Sequence, residues 1–328
     1  MQQKNEPLLL RPSGRNSLWG GTRLNDEFSK NIPMYPLAET WECSTHPAGP
    51  SYVMNGIYKE KTLAYVLQQN HAYLGTKHYS KYQLPILIKF IDAKQDLSIQ
   101  VHPNDAYAKQ YEHGQYGKTE MWYVLDATKD AHLYYGLKRN ISFDTFQKAL
   151  LTGNIMKYLQ RVPVKKGDIF FIPAGTIHAI GAGALIAEIQ ESSDLTYRLY
   201  DYDRLDNNGK KRELHIQKAL DVSCLHASET PRQPMHVFKY KQGVASELLI
   251  HCKYFEVYRV IVNTERRQHV IYQTDEISFR VLLCINGCGT LKFNDSSLDI
   301  FKGDCVFVPA NSCPITFHGK MQFLDVRG

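Results

Sequence analysis

The chain has 328 residues, 43% of them hydrophobic, enough to bury a sizeable core in one large or two modest domains. Its 39 basic and 33 acidic residues leave a formal charge of +6. With no block of about five or more like charges, a nucleic-acid surface is not indicated, although a local basic pocket for a phosphate is compatible with the balance.

The seven cysteines form no C-x-x-C pair, so neither a zinc knuckle nor a redox motif is signalled, and reduced, buried thiols in a cytosolic protein are expected. The opening stretch, MQQKNEPLLLRPSGRN, holds only a three-leucine run before a proline. That is too short for a signal peptide or a bilayer span, so no membrane contact and a cytoplasmic location are expected. The 12% aromatic share, with well-spread Gly and Pro, favours an all-β architecture rich in turns.

In chain order, residues 7–24 hold a basic, Gly-rich segment, RPSGRNSLWGGTRL. Leu37 to Glu42 begins a strand-like stretch that ends in a Ser/Pro/Gly turn at 44–51. Over 59–79, Leu63, Val66, Leu67 and Leu74 recur at helical spacing and Gly75 supplies a stop, which predicts a helix. PILIKFIDA at 85–93 reads as a buried strand, and the following KQD as a hairpin into the next one.

That next strand, Leu97 to His102, alternates apolar Leu97, Ile99 and Val101 with polar Ser98, Gln100 and His102, which places the three polar side chains on one face. Pro103 ends it, and a polar loop leads to a second strand around Glu120–Leu125, where Lys118, Glu120 and Trp122 share a face. Two neighbouring strands would then gather Gln100, His102 and Glu120 around one point, with Ser98 and Lys118 at the rim. Such an arrangement is a metal cup awaiting a closing ligand.

Residues 141–158 break the β pattern. Ser142 is a suitable cap, and Phe143, Phe146, Leu150 and Leu151 form an apolar stripe, so a helical insertion ending at Gly153 is predicted. Strands resume near Gln160–Pro163. GDIFFIPAGTIH at 167–178 then gives a turn, an apolar strand and a second turn that delivers His178. Two imidazoles, a carboxylate and an amide make a borderline-hard N/O set that suits zinc, with manganese, iron(II) or cobalt as alternatives. Taken singly, His102 or His178 would be an ordinary surface or hydrogen-bonding histidine; the combination carries the reading. A further helix is predicted over about 212–225, and the polar stretch HASETPRQPM at 226–235 is the best domain boundary. KGDIFFIPA at 166–174 recurs as KGDCVFVPA at 302–310, but Pro314 stands where the first copy has His178. The second copy is therefore expected to be structural and metal-free.

The spacing G-x5-P-x-G-x2-H from Gly167 to His178 matches the second motif of the cupin β-barrel, and Q-x-H-P…E matches the first, with Gln100 where many cupins carry a histidine. QVHPND, GKTEMWYVL, PAGTIHAIG and SSDLTYRLYDYDR together resemble the zinc-dependent type I mannose-6-phosphate isomerases in their short bacterial form. The resemblance runs from Trp19-Gly20-Gly21 to the helix near Leu214–Leu220 and continues more weakly to the end. It implies an all-β fold of two cupin (jelly-roll) β-barrels with a helical insertion and short helices. The implied division is a catalytic domain over 1–225, a linker at 226–235 and a degenerate cupin over 236–328. It also implies Gln100, His102, Glu120 and His178 as ligands of one zinc ion per chain, and Arg198 as the active-site arginine. Lys118 and Asp194 fall on the acid–base positions, and Ser98, Lys118 and Arg198 on the substrate. The expected reaction interconverts mannose 6-phosphate and fructose 6-phosphate by proton transfer between C1 and C2 through a cis-enediol(ate). The expected partner is a small sugar phosphate, and the expected state a monomer or weak homo-oligomer.

Two other classes compete. One is an iron(II) dioxygenase on the same barrel, against which the extra amide ligand Gln100 argues; the other is a non-catalytic sugar-phosphate-binding cupin. No G-x-G-x-x-G opens a helix after a strand, so no nicotinamide site is indicated. Each active-site residue also has a bland reading. Lys118 would be a solvated turn residue, Asp194 a turn cap, Ser98 a small rim residue, and Arg198 a partner of Asp201 or Asp203. His113 is expected not to be a ligand, and Tyr200 and Tyr202 to serve packing.

Overall fold

Three antiparallel sheets share the chain in this computed structural model, which describes residues 5–78, 83–205, 209–229, 231, 233, 237–266 and 269–328. A six-stranded sheet runs in the order Ile169–Ile172, Glu120–Ala127, Ala184–Glu191, Ile86–Asp92, Glu39–Cys43, Ser13–Arg15. A five-stranded sheet runs Tyr197–Tyr200, Ile99–Val101, His178–Ile180, His132–Leu137, Leu159–Pro163. The ten-stranded third sheet is built mainly from residues after 239. No helix among the described residues is long and apolar enough to cross a membrane.

The six-stranded sheet is buried on both faces, which explains its nearly unbroken apolar runs ILIKFID, EMWYVL and ALIAEIQE. One face sends Ile88, Phe90, Met121 and Ala187 into a core shared with Val281 and Phe307 of the ten-stranded sheet. The other packs Ile91, Trp122 and Ile186 against Leu133 and Ile180 of the five-stranded sheet. Lys89 and Glu188, on the face that carries Ile91 and Ile186, are thereby held in the interior between the six- and five-stranded sheets.

The five-stranded sheet turns Ile99, Val101, Ala179 and Leu199 away from that interior, onto a third core with Phe146, Ala149, Leu150 and Leu220. The helical insertion expected over 141–158 is the helix Phe143–Leu151, capped by Ser142 Oγ, which accepts from the Thr145 N–H at 3.3 Å. It roofs the outer face of the sheet that carries Gln100 and His178. Its expected stripe is narrower than the sequence suggests: Phe146 and Leu150 are buried, but Phe143 is 49% and Leu151 71% exposed. Phe146→Ala should therefore lower stability by about 3–5 kcal/mol, whereas Phe143→Ala should change it by only about 0.5 kcal/mol, both read from urea unfolding.

Four other expectations change. The helix over 59–79 is the α-helix Leu63–Gln69 followed by 3-10 turns at His71–Leu74 and Thr76–His78, because Asn70 takes up the Val66 carbonyl and Gly75 adopts a φ of +83°. The helix over 212–225 is confined to Ile216–Val222. The polar loop after Pro103 contains a helix, Asp105–Tyr111, capped by Asn104, whose Oδ1 accepts from the Tyr107 N–H at 2.9 Å. Finally, KQD is no hairpin: Ile86–Asp92 and Ile99–Val101 lie in different sheets. Its hydrogen bonds go elsewhere, Gln95 N donating to Trp19 O at 3.0 Å and Asp96 Oδ1 accepting from Ala182 N at 2.6 Å.

Both copies of the K-G-D repeat make the same turn into a strand, with Gly167 at φ +91° before Ile169–Ile172 and Gly303 at φ +104° before Cys305–Val308. The sheets do not divide where the polar stretch at 226–235 suggested. The N-terminal strand Leu8–Arg11 pairs with Cys305–Val308, and Tyr52–Val53 pairs with it in turn. Residues 230, 232, 234 and 235 of that stretch lie outside the described set.

Candidate metal centre

His102, Glu120 and His178 converge, all buried, with their candidate ligand atoms within 4.8 Å of one another. The cup forms differently from the neighbouring-strand expectation. Gln100 and His178 are direct partners across adjacent strands of the five-stranded sheet, and His102 follows on from the first of these. Glu120 arrives from the opposite wall, as the first residue of a strand of the six-stranded sheet. The site thus bridges two sheets, and alternation along each strand aims the side chains inward.

His102 Nε2 stands 2.6 Å and His178 Nε2 3.6 Å from Glu120 Oε1. Neither His102 Nε2 nor Glu120 Oε1, both buried, makes a well-formed hydrogen bond. Buried polar atoms left in that condition are costly, and a cation between them removes the cost. The protonation states fit. Burial, with the Lys118 ammonium adding, pushes the His102 imidazole well below its ordinary value, and burial also lowers that of His178. Burial opposes the charge on Glu120, but the Lys118 ammonium beside it and the hydrogen bond from Trp122 bring its carboxyl down. Neutral imidazoles and an ionised carboxylate are the forms a divalent ion requires.

The surrounding groups orient these ligands. His178 Nδ1 donates to Thr176 O at 2.8 Å, which fixes the tautomer and leaves the Nε2 lone pair facing the centre. Trp122 Nε1 donates to Glu120 Oε2 at 2.8 Å and to Glu188 Oε2 at 3.0 Å. The Gln100 amide nitrogen lies 3.4 Å from His178 Nε2, and a half-turn of the amide presents its oxygen instead.

A cavity of about 370 Å³ opens beside the cluster, lined among others by Ser98, Gln100, Lys118, Asp194 and Arg198, so the sequence-derived candidates meet at one space. Lys118 is buried, with Nζ 3.6 Å from Glu120 Oε1, and is no solvated turn residue. Arg198 does not pair with Asp201 or Asp203. Asp201 is taken by Arg204 and Arg212, and Asp203 by Lys211. Arg198 instead donates from Nε to Ser98 Oγ at 3.3 Å and from NH1 to Glu213 O at 2.8 Å.

Sequence reasoning missed Lys89 and Glu188. They are cross-strand partners in a row that runs Trp122, Glu188, Lys89, Trp41 along the cavity wall. Lys89 Nζ lies 3.5 Å from Glu188 Oε1, and burial together with the Glu120 charge pushes the Glu188 carboxyl up. The available signal was one charge inside each of two apolar strands, ILIKFID and ALIAEIQE.

A second carboxylate pair stands behind the wall. Glu191 Oε1 accepts from Thr119 N at 2.8 Å, beside Lys118, and burial plus the Asp105 charge raise its carboxyl to about 8. Native Glu191 therefore keeps a proton that the unfolded chain releases near its ordinary value of 4.5. Its stabilising effect is complete below that value and fades as pH climbs to about 8. Urea unfolding should show wild type losing up to about 1.4 kcal/mol per pH unit relative to Glu191→Gln across that window. Parallel curves for the two proteins would refute the shared proton.

Comparison with known proteins follows the same lines. A family model described as phosphomannose isomerase type I, catalytic domain, matches residues 8–131, and one described as mannose-6-phosphate isomerase, cupin domain, matches residues 245–327. The chain is 35% identical over 321 residues to mannose-6-phosphate isomerase of Streptococcus mutans, covering 97% of each. It is 42% identical over 255 residues to mannose-6-phosphate isomerase ManA of Bacillus subtilis, covering 77% of this chain and 78% of the relative. The solved structure of mannose 6-phosphate isomerase from Bacillus subtilis superposes with a TM-score of 0.89 at 34% identity, over 98% of this chain and 99% of that one.

Proposed function

The chain belongs to the type I mannose-6-phosphate isomerases, and from that premise we propose that it interconverts mannose 6-phosphate and fructose 6-phosphate in the cavity beside His102, Glu120 and His178. The observation that carries this reading is the buried His-Glu-His cluster, drawn from two sheets and opening on a cavity that also gathers Lys118, Asp194 and Arg198.

Gln100, His102, Glu120 and His178 would hold one zinc ion, the N/O set and the two neutral imidazoles being suited to it. When bound, a divalent ion polarises the sugar's carbonyl and hydroxyl oxygens as a Lewis acid. The rest belongs to the chain. The net reaction moves one hydrogen from C2 to C1 of the open-chain aldose and one from the C2 hydroxyl to O1, so no electrons leave and no redox cofactor is needed. Lys118, as the free amine, takes the C2 proton and, as the ammonium so formed, returns it to C1 of the cis-enediolate, while Asp194 serves ring opening. Arg198 places a guanidinium beside Ser98 and Gln100, where it steadies the oxyanion that develops.

The direct test is a coupled assay of mannose 6-phosphate turnover on chelator-treated protein before and after zinc is restored. Turnover that appears with zinc supports the proposal. No turnover with zinc fully loaded would reject it.

A further inference from the structure

Five cations line the cavity: Arg15, Lys89, Lys118, Arg198 and Arg212. Four of them are already engaged. Lys118 faces Glu120 at 3.6 Å, and Lys89 faces Glu39 at 3.7 Å and Glu188 at 3.5 Å. Arg212 grips Asp201 through Nε at 2.7 Å and NH2 at 2.5 Å, and Arg198 is held by Ser98 and the Glu213 carbonyl. Arg15 is different. Its guanidinium carbon lies 4.7 Å from the Trp41 ring centroid, its Nε is buried without a hydrogen bond, and it makes no ion pair among the described residues.

Stacking on an indole holds a guanidinium in place while leaving its planar N–H fork free, the arrangement that grips a phosphate through two parallel hydrogen bonds. Position supports the same role. Trp41 is two strands removed from Glu188 along the cavity wall, a separation of about 10 Å. The reacting carbons of a hexose 6-phosphate and its phosphate likewise lie at opposite ends of the molecule. The carboxylate directly across from Arg15, Glu39, does not repel an anion there, because Lys89 at 3.7 Å and Trp41 Nε1 at 2.9 Å already balance it. The other acidic groups lining the cavity are Glu188, which faces Lys89, and Asp194, and Arg198 and Arg212 line it as well.

We propose that Arg15, stacked on Trp41, is the anchor for the substrate's phosphate, an assignment that rests on the sugar-phosphate isomerase reading. Ser17, two residues on and also lining the cavity, adds a hydroxyl donor beside it. Arg15 binds the end of the substrate that does not react, so its loss acts on KM rather than on the chemical step.

Arg15→Gln, loaded with zinc, should raise KM for mannose 6-phosphate about 10- to 100-fold while kcat stays within about twofold, and Arg15→Lys should recover part of the loss. Inorganic phosphate provides an independent probe. It should inhibit wild type competitively and raise its melting temperature, and Arg15→Gln should weaken both effects. An unchanged KM, a fall in kcat without a rise in KM, or a wild type that phosphate neither inhibits nor protects would overturn the assignment. Failure of the isomerase reading would look different: wild type would not turn over mannose 6-phosphate, yet phosphate protection would still depend on Arg15.

Discussion

His102→Ala and His178→Ala are each expected to lose the bound metal and at least about 10³-fold of kcat/KM together, since Lewis-acid assistance is worth several kcal/mol and about 1.4 kcal/mol is tenfold. Each substitution removes one of the two imidazole nitrogens that face Glu120 Oε1, at 2.6 Å for His102 and 3.6 Å for His178. The remaining imidazole, the carboxylate and a weak amide do not make a competitive site for zinc at ordinary concentrations. The loss should not be one of folding. Both histidines are buried, but the two sheets also rest on separate apolar cores on their far faces, one holding Phe90 and Met121 and one holding Phe146. Metal analysis of purified variants beside the isomerase assay and a melting curve separates the cases. Metal retained by both variants at wild-type stoichiometry would mean that the ligands lie elsewhere, and the mechanism would fall with them.

The parts of this site written locally in the sequence were legible there. Alternation over Leu97–His102 gave the shared face of Ser98, Gln100 and His102, and the two turns around Ile169–Ile172 gave the delivery of His178. What local patterning could not show is which wall each strand occupies. Glu120 and His102 were expected on neighbours and instead oppose one another across two sheets, a relation set by long-range pairing such as Gln190 with Glu120. Lys89 and Glu188 escaped notice for a related reason. A charge within an apolar run looks incidental until both faces of the strand are known to be buried, and only then must it have a partner. Arg15 is harder still, because its stacking partner Trp41 lies on the adjacent strand, 26 positions away in sequence and beyond the loop and helix at 16–38. The short helix Asp105–Tyr111 was hidden by its composition: only Ala108 is buried, so no apolar stripe marks it.

Lys118→Ala should give the opposite pattern to the histidine variants: metal retained, KM little changed, and kcat lowered by about 10²- to 10⁴-fold, the usual worth of a positioned proton-transfer group. The position of Lys118 is secured from both sides. Its own N–H donates to Pro103 O at 3.0 Å, and Glu191 holds the N–H of Thr119 at 2.8 Å. The segment is tied to the one bearing Asp194, since Ser193 Oγ donates to Tyr116 O at 2.9 Å. Those contacts run through the backbone of 116–119 and survive truncation of the lysine, so an effect on kcat would report the lysine's amino group and not a displaced loop. The cavity's other candidate for carrying the proton is Glu188, whose carboxyl is already engaged by Lys89 at 3.5 Å and by the Trp122 indole N–H at 3.0 Å. Substrate turned over in deuterated water settles the choice: exchange of the hydrogen shared by C1 and C2 with solvent should vanish in Lys118→Ala along with turnover. If kcat instead stays within about threefold of wild type, Lys118 serves only to balance Glu120, and the proton must travel by another group lining the cavity, Asp194 first.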